Sequence, residues 1–262
     1  MDAEQWEKIA VDIAREAGAL ARRRRAEGVA VAATKSSLAD IVTEADREVE
    51  QLIRDRLAAA RPDDGFLGEE SDPQPGTSGI TWVVDPIDGT VNYAYGIPHY
   101  AVSIAAVTGE PVPGAWEAQA AAVYSPVVDE LFRAHRGGGA WLGERRLEVS
   151  RVTDAGALLA TGFGYDPATH DGDLARVRRM MVLARDLRRG GAASLDLAYV
   201  AAGRLDGYFE RGLKPWDHAA GALLVTEAGG VVGGRSGGAP GVEMTVAASP
   251  DLFARMQELL GE

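Results

Sequence analysis

The chain has 262 residues and no cysteine, with 27 Lys+Arg against 39 Asp+Glu and a formal net charge of −12. The absence of thiols excludes disulfides, thiolate zinc sites and cysteine nucleophiles. The acidity argues against nucleic acid or anionic membrane as a default partner, and it should also repel a phosphate substrate.

With 46% hydrophobic residues, a chain of this length can bury a large core. The first twenty residues carry Asp2, Glu4, Glu7, Asp12 and Glu16, so they hold no apolar targeting core. No run approaches the roughly 18 apolar residues of a membrane span. Together with the missing cysteines, this predicts a cytoplasmic protein with no membrane role.

Trp6, Ile9, Ala10, Ile13, Ala17 and Leu20 recur at helical spacing and predict a first helix. It ends in Arg22-Arg23-Arg24-Arg25, which reads either as a nucleic-acid patch or as a dipole-favoured last turn. Residues 34–40 read as a loop and 42–57 as a second helix, with Thr43 and Asp46 spaced as a helix-start pair. Residues 73–79 form a surface loop by composition.

From residue 81 the pattern changes to short apolar runs, which predict strands at 81–84, 101–107, 120–124 and 130–134. A second mixed region starts near residue 145. Strands are expected at 158–161 and 205–210, and helices at 173–186, 194–202, 217–227 and 252–260. Gly229-Gly230 supplies a helix stop, and the glycine-rich stretch 233–241 predicts a flexible hairpin or loop. No internal repeat or long linker is visible. The expectation is one compact unit of two α/β halves, 1–145 and 146–262.

The densest chemical signal is Trp82-Val83-Val84-Asp85-Pro86-Ile87-Asp88-Gly89-Thr90. Pro86 removes a donor and disfavours helix at Asp85, so the strand is expected to end there. A helix starting near Gly89 or Thr90 would direct free N–H groups at an anion. Two carboxylates beside an anion site repel it and each other. A hard divalent cation resolves that conflict, since Mg²⁺ takes carboxylate, carbonyl and phosphate oxygens together.

Gly68-Glu69-Glu70 follows another apolar strand end and offers a further ligand. Pro215-Trp216-Asp217-His218 opens an alanine-rich helix, with Asp217 either a plain cap or a carboxylate closing the metal site. His218 is not expected to ligate, because Mg²⁺ prefers oxygen. There is no Gly-x-Ser-x-Gly elbow and no P-loop lysine motif.

These residues, with Lys35-Ser36-Ser37, Asp46, Ala219-Ala220-Gly221 and the run from Ala201-Ala202-Gly203 through Phe209-Glu210, resemble the inositol monophosphatase family, bacterial members above all. The likeness covers nearly the whole chain. It implies an α/β (α+β) fold, the layered α-β-α-β-α sandwich of the inositol monophosphatase and fructose-1,6-bisphosphatase type. It further implies a homodimer, lithium sensitivity, and Mg²⁺-dependent hydrolysis of a phosphate monoester by two or three ions, with Mn²⁺ as a substitute.

By resemblance, Glu69, Asp85 and the Ile87 carbonyl hold the first ion, while Asp85, Asp88 and Asp217 hold the second. A third, weaker ion would again use Glu69. Thr90, oriented by Asp46, partners Glu69 in activating water. The amides of Gly89 and Thr90 hold the phosphate, with Asp88 and Asp217 beside it. Gly191, Ala192, Ala193 and Glu210 contact the polyol.

The chain departs from the family at Ala192, where Thr or Ser is usual, and at Ala193-Ser194, where Ala-Ala is commoner. Both departures are expected in the substrate pocket, away from the metal. Lys35-Ser36-Ser37 is expected on a mobile loop near the third ion. Inositol-1-phosphate is the expected substrate; the alternatives are fructose-1,6-bisphosphatase, histidinol-phosphatase and nucleotide 3′-phosphatase activities. Outside enzymes, the alternative is a transcription-associated regulatory binding protein, with Arg22 to Arg25 and Arg188-Arg189 as its candidate patches.

Overall fold

The computed structural model describes residues 2–28, 31–34, 41–110, 112, 114–152, 155–164 and 166–261. Lys35-Ser36-Ser37 lies outside them. Helix α1 spans Ala3–Glu27 and is opened by a reciprocal cap between Asp2 and Gln5. Strands β1 (Val31–Thr34) and β2 (Ile41–Thr43) pair antiparallel, and α2 spans Glu44–Ala60. The expected Thr43–Asp46 cap is present, but α2 starts two residues later than expected because 41–43 are held in the β-pair.

Seven strands form the first sheet in sequence order: β3 (Gly65–Gly68), β4 (Ile80–Asp88), β5 (Ala101–Gly109), β6 (Trp116–Ser125), β7 (Glu130–His135), β8 (Gly139–Leu142) and β9 (Arg145–Arg146). The short helix α3 (Thr90–Tyr95) follows β4. β3 runs parallel to β4, and the remaining neighbours pair antiparallel.

The second sheet draws on later elements: β10 (Ala157–Thr161), α4 (His170–Met180), β11 (Ala184–Arg188), α5 (Ala193–Ala201), β12 (Gly207–Glu210), α6 (Pro215–Glu227), β13 (Val231–Gly233), β14 (Thr245–Ala248) and α7 (Pro250–Leu260). Its strand order is β11-β10-β12-β14-β13.

Strand periodicity explains the stacking. On β5, Val102, Ile104 and Ala106 face the core under α1 and α2, while Ala101, Ala105 and Val107 face the central core that contains α5 and α6. On β14, Ala247 joins that central core, and Val246 and Ala248 face a third cluster with Leu252 and Met256 of α7. The layers are therefore α1/α2, first sheet, α5/α6, second sheet and α4/α7, the expected α-β-α-β-α sandwich.

A helix between two sheets must be apolar nearly all round, and α6 buries Ala219, Ala220, Leu223, Leu224 and Val225. Gly221 lets α5 approach, since a Cβ there would sit 2.5 Å from the Cβ of Leu197. No described helix is long and apolar enough to cross a membrane.

Three expectations are corrected. β4 does not stop at Asp85; it runs to Asp88 through a bulge, with Asp85 opposite Ser103 and Asp88 opposite Ala101. Pro86 sits inside that bulge, where its missing N–H breaks no regular ladder. The helix expected over 173–186 ends at Met180, and 184–188 form the charged edge strand β11, a polarity that suits an edge and imitates a helix surface. The strand expected at 205–210 begins at Gly207. The glycine-rich stretch lies in the connection of the antiparallel hairpin β13–β14, as expected, with a 3₁₀ turn at Arg235–Gly237.

One buried charge group ties α1 to the first sheet. Glu7 accepts from Arg133 at 2.6 Å and pairs with His135 Nδ1 at 2.7 Å, both from β7. Glu7→Ala strands both partners and is expected to lower unfolding free energy by about 2 kcal/mol, read by urea titration. An unchanged urea midpoint would show the group to be neutral.

Candidate active site

The ends of elements from both halves surround a cavity of about 310 Å³. β4 delivers Asp85, Ile87 and Asp88; the turn after β3 delivers Glu69; the first turn of α6 delivers Asp217. Gly89 and Thr90 lead into α3, Gly191 to Ala193 into α5, and Glu210 ends β12. All of these residues line the cavity. Asp46, on α2, stands behind Thr90. The structure thus brings together the site candidates among the described residues, while Lys35-Ser36-Ser37 lies outside them.

Local structure explains each placement. Gly89 adopts φ +90°, and a Cβ there would press on the carbonyls of His99 and Gly191, so the turn requires glycine. Helix α3 has six residues, too short for a large macrodipole, so any anion affinity rests on the free N–H groups themselves. The backbone N–H of Lys214 donates to Asp217 Oδ2 at 2.6 Å, fixing that carboxylate at the start of α6. Asp217 is therefore not the N-cap; it sits three residues inside. Thr90 Oγ lies 3.2 Å from Asp46 Oδ1 and 3.1 Å from the Ile87 carbonyl, two acceptors sharing one proton.

The electrostatics are those of crowded, dehydrated acids. Burial pushes Asp85 well above the usual carboxylate range, and the neighbouring charges of Glu69, Asp88, Asp217 and Asp46 push it further. Burial raises Asp217 likewise, reinforced by Glu69 and Asp88. Asp88 is raised by burial against the opposing pull of its hydrogen bonds from Ser194 and Ala193. Asp46 is pushed up to about 6 by burial, opposed by hydrogen bonds from Thr43. Glu210 is pushed up to about 7 by burial, with the Tyr208 hydroxyl donating to it at 2.5 Å.

Among the described residues no three Asp, Glu or His side chains stand at the spacing of a closed ion site. The donor set nevertheless fits hard cations: it is all oxygen, and each of Asp85 and Asp217 has one oxygen tied to backbone N–H. Their mutual repulsion is the force that a divalent ion would relieve. His218 is buried away from the cavity beside Trp116 and is lowered to about 4 by burial, so its imidazole is neutral and the oxygen-only reading stands.

Three residues support the site in ways the sequence did not reveal: Ser194, read there only as a family departure, and Asn92 and Glu50, which went unnoticed. Ser194 donates to Asp88 Oδ2 through its N–H at 2.7 Å and its hydroxyl at 2.5 Å. This corrects the expectation that Ser194 lies in the substrate pocket: Ala193 lines the cavity, while Ser194 is fully buried and grips Asp88. Asn92 Nδ2 donates to the carbonyls of His99 and Gly190 at 2.8 and 2.9 Å, joining α3 to the loop before α5. Buried Glu50 accepts from the Glu70 N–H at 2.8 Å, and a Cβ on Gly68 would strike its carboxylate. A serine or asparagine two positions from a motif carries no periodic signal, so only the fold reveals these contacts.

Within the basic run of α1, Arg22 and Arg23 are exposed and Arg24 is paired. Arg24 binds Glu48 at 2.5 and 2.6 Å and Glu27 at 2.6 Å, while Arg25 packs against Gly96, as a last helical turn would.

The inositol monophosphatase family model matches residues 2–260. The inositol-1-monophosphatase of Mycobacterium leprae is 42% identical, covering 99% of this chain and 96% of its own length. The Nus factor SuhB of Escherichia coli is 44% identical over 88% of this chain and 85% of its own. The crystal structure of the extragenic suppressor protein suhB from Bartonella henselae superposes with a TM-score of 0.88 at 37% identity, covering 97% of this chain and 98% of that one.

Fold, acidic cavity and relatives together define a phosphatase. The chain belongs to the inositol monophosphatase family, whose members are generally metal-dependent.

Proposed function

We propose that this chain hydrolyses inositol-1-phosphate to inositol and phosphate as a cytoplasmic, lithium-sensitive homodimer using two or three Mg²⁺ ions, with Mn²⁺ as a substitute. The observation that carries the reading is the ring of Glu69, Asp85, Asp88 and Asp217 around one cavity, with the Thr90–Asp46 pair at one side and Glu210 at the other. Glu69, Asp85 and the Ile87 carbonyl would hold one ion, and Asp85, Asp88 and Asp217 a second; a third would again use Glu69. Bound there, the ions supply Lewis-acid polarisation of the phosphate and lower the pKa of the attacking water.

The protein's own groups do the rest. Glu69 accepts the proton of that water, Thr90 orients it, and Asp46 holds the Thr90 hydroxyl in place. The N–H groups of Gly89 and Thr90 donate to the phosphate oxygens, while Asp88 and Asp217 flank it. Gly191, Ala192 and Ala193 form the wall against which the polyol packs. Glu210 receives a polyol hydroxyl on the oxygen that Tyr208 leaves free. Phosphoryl transfer asks mainly for such positioning and charge stabilisation.

A panel of inositol-1-phosphate, fructose-1,6-bisphosphate, histidinol phosphate and a nucleotide 3′-phosphate tests the substrate. The highest kcat/KM is expected for inositol-1-phosphate, and a higher value for any other would displace it. Chelation is expected to abolish turnover and Mg²⁺ to restore it; full activity in excess EDTA would remove the metal reading.

The Escherichia coli relative's name, Nus factor SuhB, supports a second reading, association with the transcription machinery. Retention by RNA polymerase at physiological salt would favour it, and that role is compatible with catalysis.

A further inference from the structure

Next to the catalytic cavity lies a second one, also about 310 Å³, with a wall of opposite charge. Arg176 and Arg179 of α4, Arg211 just after β12 and Arg235 of the 3₁₀ turn converge on it, facing a single acid, Glu243. Arg211 lines both cavities. Four guanidinium groups around one small volume repel one another, and in a chain of net charge −12 acids were available to separate them.

Arg176 alone is neutralised locally, by Asp173. Among the described residues Arg179, Arg211 and Arg235 make no ion pair, and Arg179 Nε is buried with no hydrogen-bond partner at all. A buried guanidinium N–H with no acceptor forgoes its hydration without recompense. Such a group is normally satisfied by what the site binds.

We infer that this arginine cavity is a phosphate-binding site, distinct from the catalytic carboxylates and linked to them through Arg211. Guanidinium forks match tetrahedral oxyanions in pairs, and a dianion brings oxygens for several forks at once. The concave shape suits one phosphoryl group, and no aromatic side chain lines it to stack a base. The anion has two sources, free inorganic phosphate or a second phosphate on a substrate held in the neighbouring cavity. Glu210, the residue before Arg211, faces the polyol position, so the polypeptide changes from acid to base between the two cavities.

The test uses inorganic phosphate and calorimetry in excess EDTA. EDTA removes cations from the catalytic cavity, which Arg189, Arg211 and Lys214 line beside the acids, so the binding lost in a variant of the other cavity reports the arginine site. Wild type is expected to bind, more weakly as salt rises, and Arg179→Gln/Arg235→Gln to lose at least about tenfold in affinity. No saturable binding by wild type, or equal affinity in the folded double variant, overturns the site. If the double variant does not fold, Arg235→Gln alone, on the exposed turn, decides the same question.

A second measurement separates the sources. The ratio of kcat/KM for a polyol bisphosphate to that for the monophosphate should fall about tenfold in the variant if the site serves a substrate's second phosphate. With phosphate affinity lost, an unchanged ratio assigns the site to free phosphate. The calorimetric result does not depend on which substrate the enzyme hydrolyses.

Discussion

Asp88→Asn is expected to lower kcat at least about a hundredfold at saturating Mg²⁺, the scale of deleting a major electrostatic stabiliser. The carboxylate has two tasks. It presents charge to the cavity, and it accepts from the N–H groups of Ala193 and Ser194 and from the Ser194 hydroxyl. These bonds span more than a hundred residues of sequence and anchor the loop before α5 to β4. An asparagine removes the charge and turns one accepting oxygen into a donor that meets other donors.

Ser194→Ala separates the two tasks, because it deletes one hydrogen bond and leaves the charge in place. Its expected loss is about tenfold or less. Near-wild-type turnover of Asp88→Asn would take Asp88 out of the ligand set. A hundredfold loss in Ser194→Ala would show that anchoring, not charge, dominates.

The metal-free protein is expected to be more stable near pH 5 than at pH 7.5, by about 5 °C or more in Tm. Asp46 and Glu210 have folded values raised to about 6 and about 7 from ordinary carboxylate values of 3.8 and 4.5. Between each pair of values the native state holds a proton that the unfolded state has released. Stability therefore falls as pH rises through that window. Asp85, Asp88 and Asp217 are shifted in the same direction.

Each pKa unit is worth about 1.4 kcal/mol, and 1 kcal/mol moves Tm by about 2–4 °C in a chain of this size. Adding Mg²⁺ at pH 7.5 should raise Tm, since a ligand of the native state alone stabilises by mass action. Asp85→Asn should stabilise the metal-free chain while abolishing turnover. A Tm in EDTA that rises steadily from pH 5 to 7.5 would contradict the crowded-acid description. The site holds its acids at a cost to stability that a bound cation would offset.

Most of the catalytic wall was legible because it lies in contiguous motifs at element ends. Apolar runs ending in Gly68-Glu69 and in Asp85-Pro86-Ile87-Asp88 announce strand termini, where open α/β architectures place ligands. The global charge of −12 suggested a barrier to phosphate, yet the acids that line the cavity are the ones a cation converts into an attractive corner. Ser194 illustrates the opposite case. As a departure from a family pattern it was expected in the substrate pocket, and in space its hydroxyl donates to Asp88.

The sequence by itself carried the family resemblance that implied the layered fold, the Thr43–Asp46 cap and the acids that come to line the cavity, because capping and motif spacing are local properties. Only the tertiary structure decided that β4 passes through Pro86 on a bulge, that 184–188 leave the helix for a sheet edge, and that Ser194 and Asn92 brace the site. It alone gathers Arg176, Arg179, Arg211 and Arg235, far apart along the chain, around one cavity. Burial, pairing and repulsion between distant charges depend on where the chain folds back, and no local pattern records that.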